Sequence, residues 1–353
     1  MRHERKASLL FLISLLLFLI LSAFMGVIVT GIAMIFPNAN VNDITYLLNA
    51  LTVSLPAFFI PAVVFRRVTK MPKFKAPRFT HVLMAIGIGI GCLQLNQSLS
   101  SLTSAIFYNV ELNSLSTTSE TVTNLNGFNM LFSLAIIPPL SEEFLMRGTL
   151  LESWRKASPV GAMILTSLLF ALLHSAPTSI PVYFAIGMLL AAVYMITRNV
   201  WLTVTVHLVN NLGSVIGALI LKYGGDALSE AMESTAAAAT EPVFEIASLV
   251  TMSLMYAVGA AVFLVPLLIG LRAVYKKNRL GAFSDLPAGE TAAGGLSGEA
   301  TQEALPEPVQ VMPEKKVSLP ADPFLWISLT ILIILNAVSL LVELGIIAAP
   351  GLS

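Results

Sequence analysis

Three short patterns in the middle of the chain combine residue types that could hydrolyse an amide bond. They are E-E-x-x-x-R (Glu142, Glu143, Arg147), F-x-x-x-H (Phe170, His174) and H-x-x-x-N (His207, Asn211). A carboxylate can take a proton from water, an imidazole can carry a proton, and an amide can bind the oxyanion that forms at a carbonyl. The patterns therefore provide a base, a proton carrier and an oxyanion site.

Each pattern alone carries little information. A lone Glu-Arg pair in a helical bundle more often stabilises the structure, and any apolar helix with one histidine provides F-x-x-x-H. The H-x-x-x-N pattern is as often an interhelical hydrogen-bond pair. The combination is informative because the three patterns fall, in order, on separate predicted helices.

The first pattern assigns different tasks to its two carboxylates. Glu143 and Arg147 are spaced i and i+4 with the acid first, which favours an ion pair on a helix. Glu142 points to another face and remains free. Pro138 and Pro139 predict a break just before it, so that a new half-helix would begin near Glu142. The positive end of that half-helix would help to keep the carboxylate ionised.

The composition places these residues in a membrane protein. The chain has 353 residues, of which 56% are hydrophobic and 11% charged, and its mean hydropathy is +0.84. Soluble domains carry about 25% charged residues. A net charge of zero argues against nucleic-acid binding. The single cysteine, Cys92, excludes an intrachain disulfide, and the absence of a CxxC pattern gives no indication of a structural zinc site.

Apolar runs long enough to span a bilayer, about 20 residues each, predict an all-α, polytopic membrane bundle. The candidate spans are 8–35, 45–65, 80–106, 128–153, 159–175, 180–197, 200–221, 245–271 and 324–347. The first run follows the basic start "MRHERK" and is too long for a signal-peptide core, so we expect a retained helix. Ionisable residues at such depths are expensive and are functional candidates by default.

The distribution of basic residues predicts the orientation. With the N-terminus in the cytoplasm, the loops on the cytoplasmic side carry nearly all lysines and arginines. The loops on the opposite side contain only Lys222. This asymmetry follows the positive-inside rule. We expect an integral protein of a bacterial plasma membrane with a cytoplasmic N-terminus.

The fourth and fifth spans predict a hairpin that aligns two of the candidate residues. Ser158 suits the N-cap of the fifth helix and Pro159 its first position. Glu142 and His174 each lie sixteen residues from the turn, or about 24 Å at 1.5 Å per residue. They should therefore face each other at one depth. His207 lies about 10 Å along the seventh helix, an offset that the bundle can accommodate.

Composition also divides the chain into three parts. Residues 281–322 are rich in Gly, Pro, Ala and Glu, which predicts a flexible cytoplasmic linker. We therefore predict an eight-helix core at 1–280 and a tethered C-terminal helix at 323–353. Within the core, "GIGIG" lies in mid-helix after no strand, so Gly87 and Gly91 are expected to permit close helix packing rather than to bind a nucleotide.

Together, the three patterns resemble the motif set of the CAAX-protease and bacteriocin-processing (CPBP, or Abi) family of intramembrane endopeptidases. The resemblance covers about residues 128–220. It implies an eight-helix core around a water-filled cavity that opens to the cytosolic side. It also implies that Glu142 activates water with His174 as its partner, and that His207 and Asn211 stabilise the oxyanion. The linker and the ninth helix are not required by the family core.

The predicted function is therefore an intramembrane endopeptidase that uses a glutamate-activated water and no cofactor. Glu143, Arg147 and Phe170 would orient the site, and no GxSxG, HExxH or catalytic-looking cysteine offers another set. A zinc-dependent version would use Glu142, His174 and His207 as ligands. It is less favoured because zinc would occupy Glu142 while Glu143 is committed to Arg147, leaving no free carboxylate as base.

A non-enzymatic protein is the alternative from another class. A bacteriocin-immunity or scaffold protein could keep the polar core for structure, whereas a transporter would favour internal repeats and paired broken helices, which this sequence lacks. The expected partners are a peptide or protein substrate and membrane lipids, with no nucleic acid. Whether the substrate carries a lipid, and the oligomeric state, stay open at this point.

Overall fold

A computed structural model describes residues 3–37, 40–107, 125–224, 242–284, 322–344 and 346, and in this part of the chain the protein is an all-α helical bundle. We number the helices in chain order. They are α1 (His3–Ile35), α2 (Val41–Val68), α3 (Phe79–Ile106), α4 (127–154), α5 (Pro159–Leu173), α6 (Ile180–Thr197), α7 (Val200–Tyr223), α8 (Pro242–Ser284) and α9 (Pro323–Glu343). The predicted fold class is confirmed.

Seven of these helices are long and apolar enough to cross a membrane, namely α1, α2, α3, α6, α7, α8 and α9. The two others form the site-bearing hairpin. Helix α5 is apolar but has only 15 residues, and α4 carries the charged first pattern. The protein is thus an integral membrane protein, and each predicted span overlaps one of the helices.

Helix α4 differs from its prediction. Residues 127–154 are helical throughout, so the predicted break at Pro138 and Pro139 is wrong. A π-helical stretch at Met130–Ile136 precedes the prolines, and another at Met146–Leu151 follows the carboxylates. Proline is tolerated inside a membrane helix when local π geometry and neighbouring helices satisfy the backbone groups that it leaves unpaired. No separate half-helix begins near Glu142, so no positive helix end lies beside its carboxylate as expected.

The turn between α4 and α5 forms as its residues predict. Ser158 caps α5, and its Oγ accepts a hydrogen bond from the Gly161 amide at 3.1 Å. Pro159 occupies the first helical position. At its other end α5 stops at Leu173, two residues before the predicted end, because Ser175 adopts a left-handed conformation with φ of 48°. His174 is therefore the C-terminal cap of α5.

Helices α3 and α8 pack closely at the predicted glycines. A Cβ atom on Gly87 would lie 2.6 Å from the Leu267 side chain, and one on Gly91 would lie 2.9 Å from Cβ of Phe263. Both separations are too short for a real side chain. These glycines let the two helices approach, as predicted.

Helix α9 packs on α1 and α5. Leu325, Leu329 and Leu332 belong to the largest buried apolar cluster, together with residues of α1, α2, α4, α5 and α6. The buried Asn336 donates through Nδ2 to the Leu172 carbonyl of α5 at 2.8 Å. The division into 1–280, 281–322 and 323–353 stays a prediction, since residues 285–321 of the proposed linker lie outside the described part of the chain.

Candidate active site

A cavity of about 440 Å³ brings the four predicted catalytic residues together. Glu142 reaches it from α4, His174 from the end of α5, and His207 and Asn211 from one face of α7. Phe170 also lines the cavity. Glu142 and His174, which the hairpin predicts at one depth, thus line the same cavity. The catalytic role of each residue stays a prediction.

Glu143 and Arg147 form the ion pair that their spacing predicts. The Glu143 Oε1 to Arg147 Nη1 distance is 2.7 Å, and neither side chain has any exposed surface. Arg147 also donates through Nη2 to the Gly187 carbonyl of α6 at 3.0 Å. Its guanidinium lies 4.7 Å from the centre of the Phe170 ring. Arg147 therefore ties α4 to α5 and α6, and Glu143 neutralises its charge.

Glu142 has a different environment from its neighbour. Its side chain is 20% exposed, and its Oε2 lies 3.9 Å from His207 Nε2. No described residue forms a hydrogen bond with that oxygen. A separation above 3.5 Å between two polar atoms leaves room for a bridging water. Glu142 thus lines the cavity while its Oε2 is buried without a hydrogen-bond partner among the described residues.

Each of the two histidines has its Nδ1 engaged by an oxygen. His207 Nδ1 lies 3.1 Å from Glu143 Oε1, and His174 Nδ1 lies 2.8 Å from the Phe170 carbonyl oxygen. A carboxylate or carbonyl oxygen accepts, so Nδ1 carries the proton in both rings. Nε2 is then the nitrogen left for chemistry. In a neutral ring it holds a lone pair and accepts hydrogen bonds.

Asn211 is fixed by a carbonyl that the two prolines leave unpaired. Pro138 and Pro139 follow Leu134 by four and five residues, and neither has an N–H group for the Leu134 carbonyl in an α- or π-helical turn. Asn211 Nδ2 donates to that carbonyl at 3.0 Å, and its Oδ1 accepts from Asn210 Nδ2 at 3.0 Å. One amide hydrogen of Asn211 remains for a ligand.

The sequence interpretation missed several residues around the site. Asn210 and Asn96 line the cavity and form a weak 3.5 Å hydrogen bond with each other. Polar side chains in membrane helices could have drawn attention to both. Tyr183 of α6 stacks on His174, with ring centres 3.9 Å apart. Neither Tyr183 nor the Gly187 carbonyl has a signal in an apolar helix, because only the fold brings them to the site.

The histidine hydrogen bonds are of the kind found at zinc sites, but the positions of the side chains are not. Zinc-bound histidines usually donate their second N–H to a carboxylate or carbonyl, and His174 and His207 have that arrangement. Within the described residues, however, no group of three His, Cys, Asp or Glu side chains is placed to hold a metal ion. The three alternative ligands Glu142, His174 and His207 therefore have suitable atoms without a metal-binding geometry.

The cavity occupies one half of the bundle. Leu134 and Pro138 line it on α4, toward the N-terminal end of that helix from Glu142, and Ser214 and Val215 line it on α7, beyond His207. These positions lie away from the helix ends that carry the basic residues. The resemblance implied a cytosolic opening and the charge pattern a cytoplasmic basic face. Both the cytosolic opening and the cytoplasmic basic face stay predictions.

Comparison with known proteins identifies the segment that builds this site. Residues 124–213 match the family model described as Rce1-like, Type II CAAX prenyl endopeptidase Rce1-like. The site-bearing segment is Rce1-like. The match spans all three patterns and confirms the resemblance to the CAAX-protease family. It covers less than half of the chain, with α1, α2, α3, α8 and α9 outside the Rce1-like segment. Neither the curated proteins nor the solved structures give a significant match.

Proposed function

We propose that this protein is an intramembrane endopeptidase that hydrolyses a peptide bond with a water activated by Glu142. The Rce1-like match supports a peptidase. The observation that carries the mechanism is the contrast between two adjacent carboxylates. Glu143 is fully buried in an ion pair, whereas Glu142 lines the cavity, and its Oε2 lies beside His207 without a hydrogen-bond partner among the described residues.

In this mechanism Glu142 acts first as base and then as acid. Its carboxylate takes one proton from water while the water oxygen attacks the carbonyl carbon of the substrate. His174 Nε2 accepts a hydrogen bond from the other O–H group of that water and orients the molecule. When the tetrahedral intermediate collapses, the C–N bond breaks and the protonated Glu142 returns its proton to the leaving amine. The products are a carboxylic acid and an amine.

The oxyanion of the intermediate needs hydrogen-bond donors. Asn211 offers its remaining amide hydrogen, held in place by its bonds to Leu134 and Asn210. His207 can donate through Nε2 only as an imidazolium, because Nδ1 already carries a proton toward Glu143. Two carboxylates flank the ring, at 3.1 Å from Glu143 and 3.9 Å from Glu142.

A zinc-dependent version of the site is the second candidate, favoured by the two Nε2 lone pairs. A bound zinc ion would supply a more acidic water. We expect enzyme that has been stripped with a strong chelator, and verified metal-free by elemental analysis, to keep most of its activity. Loss of activity that returns with stoichiometric zinc would make Glu142, His174 and His207 ligands.

Purified protein and a diverse peptide library, read out by mass spectrometry, test the proposed activity. We expect the wild-type protein to generate new peptide termini and Glu142→Gln to generate none, because the amide cannot take a proton from water. Glu245→Gln is the matched control, since Glu245 is exposed on α8 and far along the chain from the site. A wild-type protein that cleaves nothing would favour the immunity or scaffold alternative.

A further inference from the structure

The depth of the cavity can be measured along the helices that line it. Helix α7 begins at Val200, so His207 lies about 10 Å along it and Ser214 about 21 Å, at 1.5 Å per residue. On α3, which also begins at the basic end, Asn96 lies about 25 Å from Phe79. Since all these residues line the cavity, it extends from the level of His207 away from the basic end.

The half of the bundle on the other side of Glu142 is packed. Phe144 is buried, and its ring lies 4.9 Å from Phe59, 5.8 Å from Phe74 and 5.3 Å from Trp201, centre to centre. The next side chains of α4 toward that end have no exposed surface, namely Leu145, Met146, Arg147, Thr149, Leu150 and Leu151. A cluster of aromatic rings thus separates the cavity from the basic end.

The loop after α2 reinforces this closure. Arg66 is buried and donates to the Gly148 carbonyl of α4 and to the Pro72 carbonyl of the loop. Its guanidinium lies 3.8 Å from the centre of the Phe74 ring. Asn199, at the start of α7, donates to the Lys75 carbonyl at 2.9 Å. These contacts hold the loop against the ends of α4 and α7.

The charge distribution indicates which face of the membrane this packed end occupies. Of the twenty lysines and arginines in the chain, Arg147 lies inside the bundle and Lys222 near the far end of α7. The others lie before α1 or α9, in the first turn of α1, in the last turn of α2, or near the C-terminal end of α8. The remaining ones lie in the segments that join α2 to α3, α4 to α5 and α6 to α7. By the positive-inside rule the packed end is cytoplasmic.

We infer that the active site is reached from the extracytoplasmic side and that its substrates are peptide segments already outside the cytoplasm. This inference rests on the proposed peptidase function. A prenylated tail in the cytosol would have to pass through the packed half to reach Glu142. An exported peptide, or the outer juxtamembrane segment of a membrane protein, approaches from the half of the bundle that contains the cavity.

The cavity walls are suited to such a segment. Asn96, Asn210 and Ser214 offer amide and hydroxyl groups that can bind the backbone of an extended peptide, and Leu134 and Val215 offer apolar contacts. None of the described residues that line the cavity is a lysine or arginine. The substrate class is therefore an unprenylated, extracytoplasmic segment with apolar side chains near the cleaved bond.

Cysteine labelling tests the accessible side without using catalysis. The only native cysteine, Cys92, is fully buried, so wild-type protein serves as the unlabelled control. Ser214→Cys places a thiol in the cavity, and Lys156→Cys places one at the exposed turn between α4 and α5. Each full-length variant is exposed to a membrane-impermeant maleimide in right-side-out and in inside-out vesicles. Leu134→Cys is a second cavity position if Ser214→Cys does not accumulate.

We expect the cavity thiol to be labelled in right-side-out vesicles and the turn thiol only in inside-out vesicles. Labelling of both thiols from one face would overturn the placement of the opening. If the turn thiol reacted in right-side-out vesicles and the cavity thiol only in inside-out vesicles, the cytoplasmic assignment of the basic end would be wrong. A cavity thiol that reacts only after denaturation would show that the cavity is closed. Because labelling requires no turnover, it can also be performed in the Glu142→Gln background, where it stays informative if the peptidase assay fails.

Discussion

The two halves of the bundle on either side of Glu142 differ in packing. Toward the basic end, α4 is surrounded by aromatic and aliphatic side chains, and the Glu143–Arg147 pair is sealed among α4, α5 and α6. Toward the other end, the same helix faces a cavity lined by amides, imidazoles and a single free carboxylate. One helical residue, about 100° of rotation, therefore separates a structural carboxylate from a chemical one.

This difference shows how a membrane protein can keep a reactive acid at depth. A buried charge is tolerated when it is paired, and removing one partner of a buried pair costs about 3–5 kcal/mol. Glu143 meets that condition through Arg147. Glu142 is partly exposed to a cavity instead, which lets it remain available to water. The packed half fixes the backbone that positions the residues of the half that contains the cavity.

Breaking the pair in the packed half should produce the largest loss of stability. We expect Glu143→Ala or Arg147→Ala to lower the free energy of unfolding by about 3–5 kcal/mol, since each leaves a buried charge without a partner. The double variant should lose less than the sum of the single losses, as measured by thermal unfolding in detergent. Additive losses would mean that the two side chains do not interact.

Replacing the prolines should separate stability from activity. In Pro138→Ala/Pro139→Ala the regained N–H groups can bond the Leu134 carbonyl, which Asn211 now holds. We expect an unchanged or higher melting temperature, because proline in a helix interior is unfavourable, together with about a tenfold lower kcat, since a misplaced oxyanion donor weakens stabilisation of the intermediate.

The matched control is Pro266→Ala, which makes the same change inside the exposed part of α8. It should change the melting temperature without lowering kcat. A proline double variant with full kcat would show that the Leu134 contact does not position Asn211 for catalysis.

The third and smallest effect should appear at the boundary between α5 and α9. Asn336 bonds the Leu172 carbonyl, two residues before His174. We expect Asn336→Leu to lower kcat severalfold with little change in KM or melting temperature, because it frees the end of α5 that carries His174. Ser328→Ala removes a buried hydroxyl of α9 that bonds within its own helix, and it should leave kcat unchanged. Equal effects of the two variants would contradict a positioning role for Asn336.

The sequence predicted the parts of this structure that depend on local spacing and composition. The helix spans, the Ser158 cap, the close packing at Gly87 and Gly91 and the spacing of Glu143 and Arg147 depend on periodicity and residue type. The continuity of α4 was not predictable in this way. Rules for proline treat one helix at a time, whereas the carbonyl left by Pro138 is satisfied by Asn211 on another helix.

The position of the cavity in one half of the bundle was beyond the sequence for a related reason. It depends on how the loop after α2 and the aromatic rings around Phe144 fill one end of the bundle. Phe144 is an ordinary apolar residue in a spanning helix, and nothing in its type or spacing indicates a closed end. Tyr183 likewise reaches His174 only through the packing of α5 against α6.

The different tasks of Glu142 and Glu143 are tested most directly by making the same change at both. Glu142→Gln and Glu143→Gln are purified in parallel, and kcat per folded molecule and melting temperature are measured on the same preparations. We predict that Glu142→Gln loses at least about 10²-fold in kcat, the range of general acid–base catalysis, at an unchanged melting temperature. Glu143→Gln should instead lose melting temperature, because Arg147 keeps its charge without a partner. If Glu142→Gln retained more than about a tenth of wild-type kcat, or if Glu142→Gln were the less stable variant, the assignment of the two carboxylates would be wrong.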